Sequence, residues 1–128
     1  MNPSSPASEA RTLFPKVLAQ QQSSNDAVTL TLQIPANLTY FAGHFDQIPI
    51  VPGVVQLQWA VYYAKQYLGL DISFRHMEAV KFKELLMPEQ PLELHLRFYE
   101  QAGKLDFCYR SETAEYSSGR LYFHEPGI

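Results

Sequence analysis

Apolar and polar residues alternate strictly over residues 28–34, with Val, Leu or Ile at every second position and Thr or Gln between them. A period of two is that of a β-strand with one buried face, and Pro35 ends the pattern. A weaker strand pattern covers residues 17–22, and Ser24-Asn25-Asp26 predicts a turn after it. The folded part of the chain therefore begins with two predicted strands.

Residues 54–68 show neither strand alternation nor a fully polar face, because most of their side chains are apolar or aromatic. Pro52 and Gly53 stand at the start of this segment, and Gly69 stands where a helix-ending glycine belongs. A helix that is apolar nearly all round is buried nearly all round. The segment therefore predicts one long helix that a sheet must wrap.

Four further strands are predicted after the helix, over residues 77–86, 92–99, 105–109 and 116–123. The clearest of them is 92–99, where Leu or Phe alternates with polar side chains, and the turn at 101–103 leads into the next strand. The order β-β-α-β-β-β-β predicts an α+β fold, an antiparallel sheet wrapped around one long buried helix.

Length and composition agree with a single domain. The chain has 128 residues, of which 46% are hydrophobic and 18% charged, and this excludes a disordered chain. We expect a flexible tail over residues 1–11, which are rich in Ser, Pro and Ala, and one domain over residues 12–128. No apolar run approaches the ~20 residues of a membrane span, so none is expected.

Charge and motifs exclude further classes of function. A formal net charge of −3 makes a general nucleic-acid binder a poor fit. The amino terminus lacks the pattern of a signal peptide, so we expect the cytoplasm. Cys108 is expected to be a packing residue, and His76, His95 and His124 show no metal-ligand spacing. With no phosphate or dinucleotide loop either, we expect neither a metal nor a bound cofactor.

One histidine, His44, lies in a loop that suggests chemistry. Pro49 and Pro52 restrict the backbone between it and the predicted helix. The start of that helix offers unpaired N–H groups and a partial positive charge. A base beside such a helix end suits removal of a proton next to a carbonyl group. The alternative, from the residues alone, is that the loop builds a turn that His44 caps.

Residues 41–60, FAGHFDQIPIVPGVVQLQWA, resemble the active-site segment of the 3-hydroxyacyl-[acyl-carrier-protein] dehydratases. That family's pattern is roughly G-H-F-P-x-x-P-h-x-P-G-V, followed by an acidic residue in the helix. Residues 80–94, VKFKELLMPEQPLEL, are similar to the family's strand–turn–strand segment. The variant PGVVQLxWA and the ending SSGRLYF resemble the subgroup of bacterial aryl-polyene pigment clusters.

The resemblance implies a hotdog fold and a lyase that converts a 3-hydroxyacyl thioester to a 2-enoyl thioester in fatty-acid or aryl-polyene biosynthesis. It implies a dimer whose active sites join both subunits, and an acyl carrier protein that carries the substrate on its phosphopantetheine arm. His44 matches the histidine that takes the α-proton. Gly53 matches the glycine whose N–H holds the thioester carbonyl, with Val54 beside it in the expected substrate-binding site.

Three positions depart from the family pattern. Asp46 replaces the usual Pro, Gln47 replaces a common Gly, and Gln58 stands where the opposite subunit supplies a carboxyl group that helps the hydroxyl leave. An amide cannot deliver a proton. The alternatives are therefore a slow homodimer and a weakly active or inactive subunit of a dehydratase heterodimer. A hotdog thioesterase is a further alternative, although Gln58 and the intact Gly43-His44-Phe45 segment both count against it.

A docking site for the carrier protein is expected from local charge. Acyl carrier proteins are acidic and this chain is acidic overall, so the attraction must come from a basic patch. Lys81 and Lys83 share one face of a predicted strand, because strand residues two apart point the same way. Arg75 and Arg97 are the other two residues predicted to contribute.

Overall fold

The computed structural model of the chain describes residues 13–36, 50–89 and 91–124. Its elements follow the predicted order: β1 Lys16–Ser24, β2 Ala27–Gln33, α1 Gly53–Leu68, β3 Ser73–Phe82, β4 Pro91–Tyr99, β5 Lys104–Arg110 and β6 Glu115–His124. The predicted tail at 1–11 lies outside the described residues, and so does the loop segment that carries His44, Asp46 and Gln47.

The strands form one sheet in the order β1-β2-β4-β5-β6-β3, and each neighbouring pair is antiparallel. Strands β1 and β3 are therefore its two edges. The apolar positions of β2, β4, β5 and β6 share one buried face, which packs against α1. This is the α+β hotdog arrangement, in which the sheet wraps around the helix.

Strand β3 begins and ends about four residues before the prediction. It pairs with β6 from Ser73 to Phe82, and a bulge at Ala79, with φ of 54°, interrupts the register. Beyond Phe82 the chain leaves the sheet, although its residues stay apolar. Leu86 is buried there and its carbonyl accepts a hydrogen bond from Val51 N–H at 2.9 Å. The apolar residues from β3 to Leu86 thus belong partly to a strand and partly to a buried segment that follows it. Periodicity alone does not distinguish the two.

The helix is covered on most of its surface but not on all of it. The sheet covers one side, and the segment before β1 covers another, where Leu13 O accepts a hydrogen bond from Trp59 Nε1–H at 2.9 Å. Along a third side Val54, Gln58 and Tyr62 remain exposed, with exposed fractions of 61% for Val54 and 43% for Tyr62. We call these three residues, one turn apart, the helix stripe.

No helix among the described residues is long and apolar enough to cross a membrane.

Candidate active site

The start of α1 leaves backbone donors without acceptors. Pro52 is the N-cap residue in an extended conformation, and its side chain makes no capping hydrogen bond. Its carbonyl accepts the N–H groups of Val55 and Gln56 at 3.0 and 3.2 Å. Within the described ranges, the N–H groups of Gly53 and Val54 donate to no acceptor. Two donors and the positive end of the helix dipole are therefore available to bind an oxygen that carries negative charge.

Gly53 leaves room for an aromatic ring that lies against it. A Cβ atom on Gly53 would come within 2.7 Å of Cζ of Phe82. Phe82 is the last residue of β3 and is 52% exposed. The contact brings the edge strand and the helix start together, so that the ring forms one wall beside the two N–H donors.

Substitution of Gly53 by alanine should therefore push the Phe82 ring aside. Because the ring is half exposed it can move, and we expect the free energy of unfolding to fall by about 1 kcal/mol. Turnover should fall by more than this loss of stability explains, because the displaced ring lies beside the N–H donors. In a Phe82→Leu background the same substitution should cost less, because the clash is gone. Equal losses in both backgrounds, measured by chemical denaturation and by turnover, would contradict the contact.

Behind the helix start lies a buried hydrogen-bond network that sequence reasoning missed. Gln56 Nε2 donates to Val51 O at 3.1 Å, and Gln56 Oε1 accepts from Ser117 Oγ at 2.6 Å. The Tyr109 hydroxyl donates to Gln56 O at 2.7 Å. Burial raises the pKa of Tyr109, so this donor stays protonated. In sequence, the only available signal was a Gln among apolar residues on the inner side of the helix.

Gln58, in contrast to Gln56, points away from the core. It belongs to the exposed helix stripe, and none of the residues that the structure describes buries it. Large apolar side chains are exposed on the stripe, on strand β3 and on the segment after it, and Phe82 of β3 reaches the helix start; they are Val54, Tyr62, Phe74, Met77, Phe82, Leu85 and Met87. Exposed apolar surface of this extent marks an interaction site.

The predicted base, His44, falls outside the described residues, and its role stays a prediction. It stands nine positions before Gly53 in the sequence.

Of the four predicted docking residues, the structure brings two together. Lys81 and Arg97 line one groove of about 600 Å³ on the outer face of the sheet, together with Arg120. Lys83 Nζ lies 3.0 Å from Glu115 Oε2, and its hydrogen bond lowers the pKa of Glu115, so that the carboxylate stays charged near neutral pH. Arg75 is exposed on β3 and is not among the residues that line the groove.

The other candidate groups form no second site. The pKa of Cys108 is raised, chiefly by burial, so its thiol stays protonated near neutral pH. His95 lies on the outer face, where its ring nitrogens contact Thr29 Oγ1 at 3.2 Å and Glu93 Oε1 at 2.9 Å. Over the part of the chain that the structure describes, no three His, Cys, Asp or Glu side chains are grouped so that they could hold a metal ion.

Comparison with known proteins indicates the family of the chain. The family model described as ApeI-like, ApeI dehydratase, matches residues 20–120. The 3-hydroxyacyl-[acyl-carrier-protein] dehydratase FabZ of Streptococcus equi subsp. zooepidemicus is 26% identical over 101 residues, which cover 72% of each chain.

Two solved structures are also similar. One is the dehydratase heterocomplex ApeI:P from Xenorhabdus doucetiae, with a TM-score of 0.82 and 29% identity over 88% of this chain and 99% of that one. The other is an uncharacterized protein from Erwinia carotovora subsp. atroseptica, with a TM-score of 0.79 and 29% identity over 90% and 99%. With a family match that spans most of its length, this chain belongs to the ApeI-like dehydratase family and is a hotdog-fold protein of the FabZ type.

Proposed function

We propose that the chain dehydrates 3-hydroxyacyl thioesters carried by an acyl carrier protein. His44 removes the α-proton, the electron pair forms the new C=C bond, and the C–O bond to the β-hydroxyl breaks. The hydroxyl takes up a proton, either from an acid of the partner subunit or from the protonated His44, and leaves as water, and a 2-enoyl thioester remains. During proton removal negative charge develops on the thioester oxygen, and the N–H groups of Gly53 and Val54 stabilise it.

The observation that carries this proposal is the open start of α1. Gly53 and Val54 each present an N–H without an acceptor among the described residues. Nine positions earlier the Gly43-His44-Phe45 segment supplies the base in the family pattern. A thioesterase would need an activated water, and the family match supports a dehydratase instead.

Mass spectrometry of the acyl chain tests the reaction directly. Incubation with a 3-hydroxyacyl carrier protein should produce a species lighter by one water, and a panel of aryl and alkyl acyl chains tests the proposed aryl-polyene substrate. We propose that the enzyme acts in the cytoplasm and uses no cofactor of its own. Its substrate is carried on the phosphopantetheine arm of the acyl carrier protein. No loss of water from any acyl chain, alone or with a partner subunit, would refute the proposal.

The active form that we propose is a dimer with a second hotdog subunit. The helix stripe and the exposed apolar residues of β3 form the surface that the partner covers, and Gln58 then faces the partner's His-bearing loop. Because Gln58 cannot donate the proton that a carboxyl group would donate, we favour a partner that carries an acid at this position. The similar ApeI:P heterocomplex supports a mixed dimer of this kind.

The carrier protein is proposed to dock at the groove of Lys81 and Arg97. Lys81 directly precedes Phe82, whose ring lies against Gly53, so the two side chains point to opposite faces of the edge strand. From a carrier held in the groove, the phosphopantetheine arm would pass around this edge of the sheet to reach the helix start. Arg97 lies three strands away in the same sheet, about 14 Å at ~4.8 Å per strand. A groove of this width fits an acidic helix better than a single acidic side chain.

Charge reversal at Lys81 tests docking. Lys81→Glu should raise KM for the carrier-bound substrate about tenfold, which corresponds to ~1.4 kcal/mol, and should leave KM for a small thioester mimic unchanged. Lys16→Glu is the matched control, because it makes the same charge change on β1, the opposite edge of the sheet. Equal effects of Lys81→Glu on both substrates would refute docking at this groove.

A further inference from the structure

Gln56 is an unusual residue to bury. Among the described residues, Gln56 and Ser117 are the polar side chains with almost no exposure, 3% and 0%. The amide uses both ends, since Nε2 donates to Val51 O and Oε1 accepts from Ser117 Oγ. An apolar side chain of the same volume would fill this space without the risk of an unsatisfied polar group. The amide therefore has a task other than filling the core.

That task follows from which backbone group it binds. The Val51 carbonyl belongs to the peptide unit directly before Pro52, and Val51 N–H is held by Leu86 O at 2.9 Å. Only two torsions, φ and ψ of Pro52, connect this peptide unit to the one that carries Gly53 N–H. The proline ring restricts φ, which is −60° here. The orientation of the Gly53 N–H is then set by the Val51 carbonyl and one remaining torsion.

We propose that Gln56 is a positioning residue, whose side-chain amide holds the Val51 carbonyl and thereby aims the Gly53 and Val54 N–H groups at the thioester oxygen. The proposal rests on the dehydration proposed above. Ser117 on β6 donates to the Gln56 amide and fixes its orientation. The sheet therefore holds the peptide group before the helix start through Gln56. An N–H donor in the wrong orientation loses more stabilisation of the transition state than of the bound substrate, because the charge on the thioester oxygen develops during the reaction.

Two substitutions separate positioning from simple stability. Gln56→Met keeps the volume but cannot donate to Val51 O, and we expect kcat to fall about 100-fold while KM changes little. Tyr109→Phe is the matched control, because it removes another buried hydrogen bond to Gln56, the one to the backbone carbonyl, and leaves the amide in place. We expect this variant to be less stable yet to retain kcat within about twofold, at a temperature where both variants are folded.

Gln56→Glu provides a second test with a pH signature. The carboxyl group would be buried, so its pKa should be raised. Below that pKa the neutral acid donates to Val51 O, and above it the carboxylate repels that carbonyl. The kcat of this variant relative to wild type should therefore be highest at low pH and fall as pH rises. The variant also keeps the inference testable if Gln56→Met does not fold.

Hydrogen exchange distinguishes this inference from the proposed function. Exchange of the Val51 amide, which donates to Leu86 O, followed by mass spectrometry of a peptide over residues 50–56, should be faster in Gln56→Met than in Tyr109→Phe. Faster exchange in Gln56→Met, with a wild-type protein that dehydrates no thioester, would refute the proposed function but leave the bracing role in place. An active wild type with unchanged kcat in folded Gln56→Met, or an equal loss of kcat in Tyr109→Phe, would overturn the inference.

Discussion

Replacing His44 by alanine should abolish dehydration while the protein stays folded. His44 is the base of the proposed reaction, and alanine has no group that can take the α-proton. General base catalysis typically contributes ~10²–10⁴-fold, and with Gln at position 58 the same histidine is a source of the proton for the leaving hydroxyl. We therefore expect a loss near the upper end of this range, measured as the rate of enoyl formation by mass spectrometry.

The matched control for this experiment is His124→Ala. His124 is exposed at the end of β6 and lines the surface near Gly69, at the far end of α1 from Gly53. Its removal should leave turnover unchanged. The described core comes chiefly from the sheet and α1, so the free energy of unfolding of His44→Ala should stay within about 1 kcal/mol of wild type. A folded His44→Ala protein with wild-type turnover would show that another group is the base.

Substitution of Gln58 by glutamate should raise the rate of the homodimer about 100-fold, because it restores a general acid at the position where the family carries one. Within the chain Gln58 is exposed on the helix stripe, but in the proposed dimer the apolar surface around it is covered. The new carboxyl group would then be desolvated and its pKa raised. The gain in rate should be largest below that pKa, where the acid is protonated, and should disappear as pH rises above it.

Turnover should be measured for wild type and Gln58→Glu, each alone and with a second hotdog subunit that carries an acid at the corresponding helix position. In the mixed dimer the complete site joins His44 to the partner's acid, so Gln58→Glu should add little. Gln66→Glu is the matched control, since it adds the same charge at an exposed position farther along α1. A wild-type homodimer that is already fast and is unaffected by Gln58→Glu would show that no acid is missing.

The periodicity of the sequence was sufficient to predict the elements of this fold and their order. Strict alternation in β2 and β4 reflects strands with one face on the helix and one on solvent, and that pattern is local. It failed where burial had another cause. The apolar run after Phe82 looked like more strand, but Leu86 is apolar because it anchors Val51 in the core. Alternation reports which residues are buried and not what buries them.

The candidate site also has a part that the sequence predicts and a part that it does not. The motif around His44 and Gly53 occupies a few neighbouring positions, so the family could be predicted from the sequence, and the roles proposed for the two residues rest on the same motif. Two glutamines in one helix, Gln56 and Gln58, could not be told apart by composition, although one braces the helix start from inside and the other faces outward.

What distinguishes them is the angle at which α1 lies in the sheet and the presence of Ser117 on a strand sixty-one residues away. The contact between Gly53 and Phe82 is decided in the same way, by the pairing of β3 with β6. The sequence by itself determined the strands, the helix and the family, because these depend on local pattern. The tertiary structure alone decided which polar group is buried and which is exposed, because burial depends on residues that are distant along the chain.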